Sequence, residues 1–174
     1  MKKYFLLTLV TSCTFIFTSC SKDDDGVDAT DSQIIGAWNL TALNVNDGRV
    51  EIITDGQSIV SELEITGKDF DATVTFAEDP KTVTSEGTFN ATVTTTTMGQ
   101  TETDEQEGDD FFDNKAWSLD GSVLTIGTGE EEQSFTITRL TDSRMDLRYV
   151  LDETETILGF TYSSKLTYTI TLSK

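Results

Sequence analysis

Few side chains in this chain can carry chemistry at neutral pH. There is no histidine, and the two cysteines are Cys13 and Cys20. A Ser-His-Asp triad, a Cys-His pair and a His-bound zinc site are therefore out of reach. No phosphate-binding glycine fingerprint opens a helix, since Gly127-Thr128-Gly129 lies between strand-like segments. What remains is carboxylate, with 31 acidic residues against 12 basic and a net charge of −19. Paired carboxylates hydrolyse glycosides, but acidic groups scattered along a whole chain single out no pair. The residue set points to a protein that is not an enzyme, with no cofactor and no metal.

Two acidic stretches invite comparison with calcium sites. Asp23-Asp24-Asp25-Gly26 begins like a calcium loop, but Ser32 occupies the position that needs a bidentate Glu. Residues 98–110 carry Glu102, Asp104, Glu105, Glu107, Asp109 and Asp110, at a spacing that matches no known loop. The simpler reading is a solvated hairpin loop. So acidic a chain repels nucleic acid, whose binding needs Lys and Arg on phosphates, and repels anionic membrane surfaces too.

Cys20 is the exception to this chemical quiet. Lys2 and Lys3 precede an apolar run over residues 4–17, long enough for a secretory signal and short of the ~20 residues a spanning helix needs. Phe17-Thr18-Ser19-Cys20 ends that run and resembles the lipobox of bacterial lipoproteins, with Phe17 where Leu is usual. The resemblance implies cleavage after residue 19 and a diacylglycerol on Cys20. An ordinary secretory signal cut near Ser19 would instead leave Cys20 as a free thiol. With Cys13 removed in the signal and Cys20 acylated, no disulfide forms in an oxidising destination. Ser21-Lys22-Asp23-Asp24-Asp25 then looks like the surface-export signal of Bacteroidetes lipoproteins. Its like charges also keep it extended as a solvated tether. The chain thus divides into a signal peptide (1–19), a lipidated cysteine and tether (20–33), and one domain (34–174).

The elements of that domain are strands. Asp31-Ser32-Gln33-Ile34-Ile35 is a short helical turn, capped by Asp31 or Ser32. Trp38, Leu40 and Ala42 share one face of a first strand, and Asn46-Asp47-Gly48 reads as a turn before a short strand over 50–53. Ile59, Leu63 and Ile65 alternate with Glu62 and Glu64; Lys68-Asp69 reads as another turn, followed by Val74 and Phe76. Pro80 marks a loop. Phe89, Ala91 and Val93 alternate with threonines, and the Thr94 to Thr97 run suits a strand passing beyond the core. Asp120-Gly121 closes a tight hairpin. Phe135, Ile137 and Arg139 alternate next, then Met145, Leu147, Tyr149 and Leu151. Leu158, Phe160 and Tyr162 share a face, as do Leu166, Tyr168, Ile170 and Leu172. No helical period persists, which makes the domain all-β with roughly nine or ten short strands. Short turns favour an up-and-down antiparallel meander, and one dry face per strand lets such a sheet either curl into a barrel or fold over as a sandwich.

Gly36-x-Trp38 opening the first strand after a helical turn resembles the first signature of the lipocalin superfamily. The lipobox, acidic tether, Gly-x-Trp strand and Trp117-x-Leu119-Asp120-Gly121 hairpin are together similar to lipocalin-like lipoproteins of the Bacteroidetes. The resemblance implies a barrel of roughly 8–10 strands whose closed end is plugged by Trp38 beneath a basic side chain, from Arg139, Arg144 or Arg148. It implies an outer-membrane, lipid-anchored protein, displayed on the surface of a Gram-negative cell. Trp38, Phe76, Phe89, Tyr149, Phe160 and Tyr168 point inward by phase, and would line a pocket for a small apolar ligand or simply fill the core. A solid barrel would make the protein an interaction module that meets a protein or glycan through its loops.

Overall fold

The computed structural model describes residues 27–108, Phe112 and 114–174. The signal peptide 1–19, Cys20, residues 20–26 of the tether, Asp109 and Asp110 lie outside the described residues.

The domain is all-β, one antiparallel sheet of nine strands: β1 (Gly36–Thr54), β2 (Gln57–Phe76), β3 (Thr82–Thr97), β4 (Gln100–Gly108), β5 (Lys115–Asp120), β6 (Val123–Ile126), β7 (Gln133–Thr141), β8 (Arg144–Ile157) and β9 (Phe160–Ser173). A four-residue helix α1 (Asp31–Ile34) precedes them. Eight strands close a hydrogen-bonded ring, because β1 pairs with both β2 and β9, and β3 with both β2 and β5. β4 and β5 lie along the same edge of β3, β4 beside residues 89–97 and β5 beside Thr82 and Val83. They are the upper and lower parts of a single strand position.

Strand lengths make the barrel uneven. At the end where β1 begins, all eight ring strands contribute. At the other end β5, β6 and β7 have stopped, leaving only β4, β3, β2, β1, β9 and the far part of β8 side by side. The meander is therefore a closed barrel below and an open six-stranded sheet above.

Several turns read from the sequence are bulges in long strands. Asn46-Asp47-Gly48 lies inside β1, where the register against β2 shifts between Val45 and Gly48. Gly and Asn serve a bulge as readily as a turn. The hairpin comes later, at Asp55-Gly56. Lys68-Asp69 likewise sits inside β2, with a shift between Lys68 and Asp71. A shift between Leu40 and Ala42 places Leu43 opposite inward Ile170, so Leu43 follows Leu40 on the inner face instead of Ala42. A shift between Ile137 and Arg139 turns Arg139 outward and brings Leu140 onto the core. Leu158 occupies the β8–β9 turn with φ +52 and is not a strand residue. Residues 98–110, read as an irregular loop, hold a Met98-Gly99 turn and β4.

The core occupies the closed end. Trp38, Phe76, Val74, Ile126, Ile137 and Met145 are fully buried there. Phe76 and Trp117 meet edge to face with centroids 5.9 Å apart, a favoured aromatic geometry. Helix α1 seals this end through Ile34, also fully buried. Its N-cap is Thr30, not Asp31 or Ser32, and Gln33 Oε1 accepts from the Thr30 N–H at 2.9 Å. The segment before it is tied down by Val27 N–H to Ile137 O and Ala29 N–H to Gly121 O.

Trp38 is the plug. Its Nε1–H donates to Ile34 O at 2.6 Å, and Lys174 Nζ lies 4.2 Å from its ring centroid. The basic partner is the last residue of the chain, not Arg139, Arg144 or Arg148, all of which are exposed. Arg144 instead pairs with Asp146 at 2.9 Å. Those arginines lie on outward positions of β7 and β8, whereas Lys174 follows β9 past its end and folds under the barrel, its Nζ 3.3 Å from Ile35 O.

Candidate ligand cleft

Midway up the barrel, where the ring loses β5 to β7, the core stops and a cleft of about 300 Å3 begins. Its wall is a run of aromatic rings. Phe112 meets Phe135 edge to face at 5.8 Å, Phe135 meets Tyr149 at 5.0 Å, and Tyr149 meets Tyr168 at 5.9 Å. Leu43, Phe89, Leu151 and Ile170 complete the apolar lining, with Gln133 the other polar side chain beside the tyrosines. A second hollow of about 190 Å3 continues from it, sharing Leu43, Phe89 and Tyr168 and extending under Ile65, Ala91, Val93 and Gln106.

A glycine sets one of these rings in place. Gly108 sits directly opposite Phe89, and a Cβ on Gly108 would lie 2.4 Å from the Phe89 ring. The aromatic ring covers the bare backbone of its cross-strand partner. Phe89 also stacks on Phe70 at 5.9 Å, and Phe70 in turn lies over Gly67. Phe112 is fixed by a reciprocal pair: its N–H donates to Ser85 Oγ at 2.9 Å, and the Ser85 N–H donates to its carbonyl at 2.9 Å.

The polar groups of the cleft are neutral. Burial pushes the hydroxyls of both Tyr149 and Tyr168 above the usual phenol range. At Tyr149 the charge of Glu153 adds to this, while a side-chain hydrogen bond with Gln133 pulls the other way. At Tyr168 the neighbouring Tyr149 adds to it. Two protonated phenols and one amide can each give or take a hydrogen bond from a ligand that is otherwise apolar. Among the described residues no group of three or more His, Cys, Asp or Glu could hold an ion.

Of the six aromatic residues read as inward, Phe89, Tyr149 and Tyr168 line this cleft. Trp38 and Phe76 lie deeper and are packed core with no accessible surface to speak of. Phe160 faces the same side of the sheet but stands at the far tip of β9, 41% exposed. Sequence alternation missed Phe135 as a wall residue, although its phase was right. It also missed Leu43, because of the bulge before it, and Phe112, which sits between strands. Gly108 opposite Phe89 carried no signal until β4 was known to pair with β3.

No known protein family, curated protein or solved structure matches the chain.

Proposed function

We propose that this protein is a lipid-anchored outer-membrane or cell-surface lipoprotein whose lipocalin-like barrel binds a small apolar ligand. The observation that carries the ligand half is the aromatic-walled cleft of about 300 Å3 at the point where the ring opens. A filled barrel would have continued its core to the rim. Here the main core cluster ends at Phe135 and Ile170, and Leu43, Phe89, Tyr149 and Leu151 beyond it stay half-buried around an open space. The volume lies at the lower end of ligand sites, roughly 300–1,000 Å3, and matches a compact or single-chain molecule. Tyr149, Tyr168 and Gln133 supply the few orienting polar groups such sites use. The reading is one of binding without catalysis, supported by a chain with no histidine.

The anchor half rests on Phe17-Thr18-Ser19-Cys20 and the acidic stretch after it. A diacylated Cys20 would hold the barrel at a membrane while its negative surface stays in water.

Titration with a neutral apolar fluorophore such as N-phenylnaphthylamine tests the cleft. Saturable binding that Leu151→Trp abolishes, with the fold intact by circular dichroism, is the expected result. Leu151 is half-buried at the rim, so the larger ring fills space without entering the core. Equal fluorescence with both proteins would reject the cleft as the site.

A further inference from the structure

Above the cleft the six-stranded sheet keeps an inner face that no part of the described chain covers. The pairings from Arg144↔Ser173 to Ile157↔Phe160 run without a shift, so Tyr149, Leu151, Glu153, Glu155 and Ile157 all share the face of core Leu147. The pairings from Phe89↔Gly108 to Thr97↔Gln100 are equally regular, and put Asp104 and Glu102 on the face of Gln106, which lines the cleft. Between these flanking strands the face is mixed: Ile59, Leu63, Ile52, Tyr162 and Phe160 form its apolar part, and Ser61, Thr95, Thr97 and Ser164 lie among them. Ile157 is 52% exposed and Ile59 45%, which is unusual for residues on the interior face of a barrel.

Charge on this face has one sign. Glu102 and Asp104 flank it on β4, Glu153 and Glu155 on β8, and no Lys or Arg occupies an inner position of the six strands. The ion pairs of the upper sheet lie on the outer face instead, as in Arg49–Glu51, Lys68–Glu105 and Lys165–Asp152. Among the described residues the four inner carboxylates make no ion pair. β4 and the upper part of β8 are also the two strands left with an unpaired edge. β4 occupies the β5 position of the ring, so three strand spacings separate it from β8, or about 14 Å along the ring. An α-helix with its side chains is about 10–12 Å across.

We propose that this face is a docking groove for a basic amphipathic helix of a partner protein, its apolar stripe on the apolar part from Ile59 to Phe160 and its Lys or Arg residues toward Glu102, Asp104, Glu153 and Glu155. The groove lies above the ligand cleft and does not depend on it. A second copy of this chain fits poorly, because a net charge of −19 and the same four carboxylates would face themselves. The flanking charges select sign and speed of encounter, and the apolar part of the face supplies affinity.

The probe is a Leu/Lys amphipathic helical peptide of about 15 residues, with a Leu/Glu peptide of the same pattern as its counterpart. Binding to the protein is read by fluorescence anisotropy against two charge-matched variants. One carries Glu102→Gln, Asp104→Asn, Glu153→Gln and Glu155→Gln on the inner face. The other carries Glu62→Gln, Glu64→Gln, Glu86→Gln and Glu107→Gln on the outer face of β2, β3 and β4. The inner variant is expected to weaken Leu/Lys binding by about tenfold or more, and the outer variant by less than about twofold. Phe160→Ser with Tyr162→Ser, at exposed positions, is expected to weaken it comparably with the acidic groups intact. The Leu/Glu peptide is expected not to bind. Equal loss in both charge variants would reduce the attraction to net charge and overturn the groove. No binding of the Leu/Lys peptide, or self-association that the Phe160→Ser, Tyr162→Ser pair abolishes, would overturn it as well.

Discussion

Replacing Trp38 by Phe tests how the closed end is held. The indole does three things at once: it fills the core, donates from Nε1 to Ile34 O at 2.6 Å, and lies under Lys174 Nζ at 4.2 Å. Phe keeps much of the filling and loses the donor, which leaves a carbonyl at the buried end of α1 short of its partner at a cost of about 1–3 kcal/mol. Phe is also the weaker cation–π acceptor, for roughly 0.5–1 kcal/mol more. The expected loss is therefore about 1.5–4 kcal/mol. With a urea m-value of about 2 kcal/mol/M, the midpoint should fall by about 0.75–2 M at unchanged slope. Trp117 remains in the core as the fluorescence reporter. Lys174→Met should cost about 1 kcal/mol by itself and should cost less in the Trp38→Phe background, since the two changes share one contact. A Trp38→Phe loss under about 0.5 kcal/mol, or strict additivity with Lys174→Met, would refute the plug as described.

Gly87→Ala should prevent folding or lower the melting temperature sharply, because φ is +93 and the new Cβ would lie 1.9 Å from Asp71 O. Gly56→Ala, at φ +75 in open space, should cost only about 1–2 kcal/mol, and similar effects of the two in thermal melts would contradict the close approach at Gly87. Tyr149 and Tyr168 give an alkaline signature. Their hydroxyls titrate higher in the folded chain than in the unfolded one, so their contribution is fully present below about pH 10 and is lost as pH rises through the folded values. Tyr149→Phe with Tyr168→Phe should flatten that decline in urea midpoints measured from neutral to strongly alkaline pH. Cys20→Ala should move the protein from the membrane pellet to the soluble fraction on cell lysis, and retention in the pellet would remove the lipid anchor.

The alternation of apolar and polar residues carried most of the fold. Trp38, Phe76, Leu147 and Leu172 are inward by phase and buried in the structure. Bulges were hidden because their signals are shared with turns: Asn46-Asp47-Gly48 reads alike in a hairpin and in a register shift, and only the pairing with β2 and β9 decides between them. Each shift also flips the phase of the residues beyond it, which is how Leu43 replaced Ala42 and Arg139 turned outward. β4 was illegible for a different reason. Its Gln-Thr-Glu-Thr-Asp-Glu-Gln-Glu-Gly sequence has no apolar face, and the strand exists because the long β3 offers it an edge. Lys174 was missed because position in the ring, not position in a motif, brings the chain end beneath Trp38.

Whether the barrel carries a ligand is decided by native mass spectrometry of a Cys20→Ala chain, before and after exposure to a bacterial lipid extract. The cleft beside Phe135, Tyr149 and Tyr168 predicts a discrete added mass that organic solvent removes and that Leu151→Trp no longer acquires. A bare protein mass under both conditions would contradict the ligand reading.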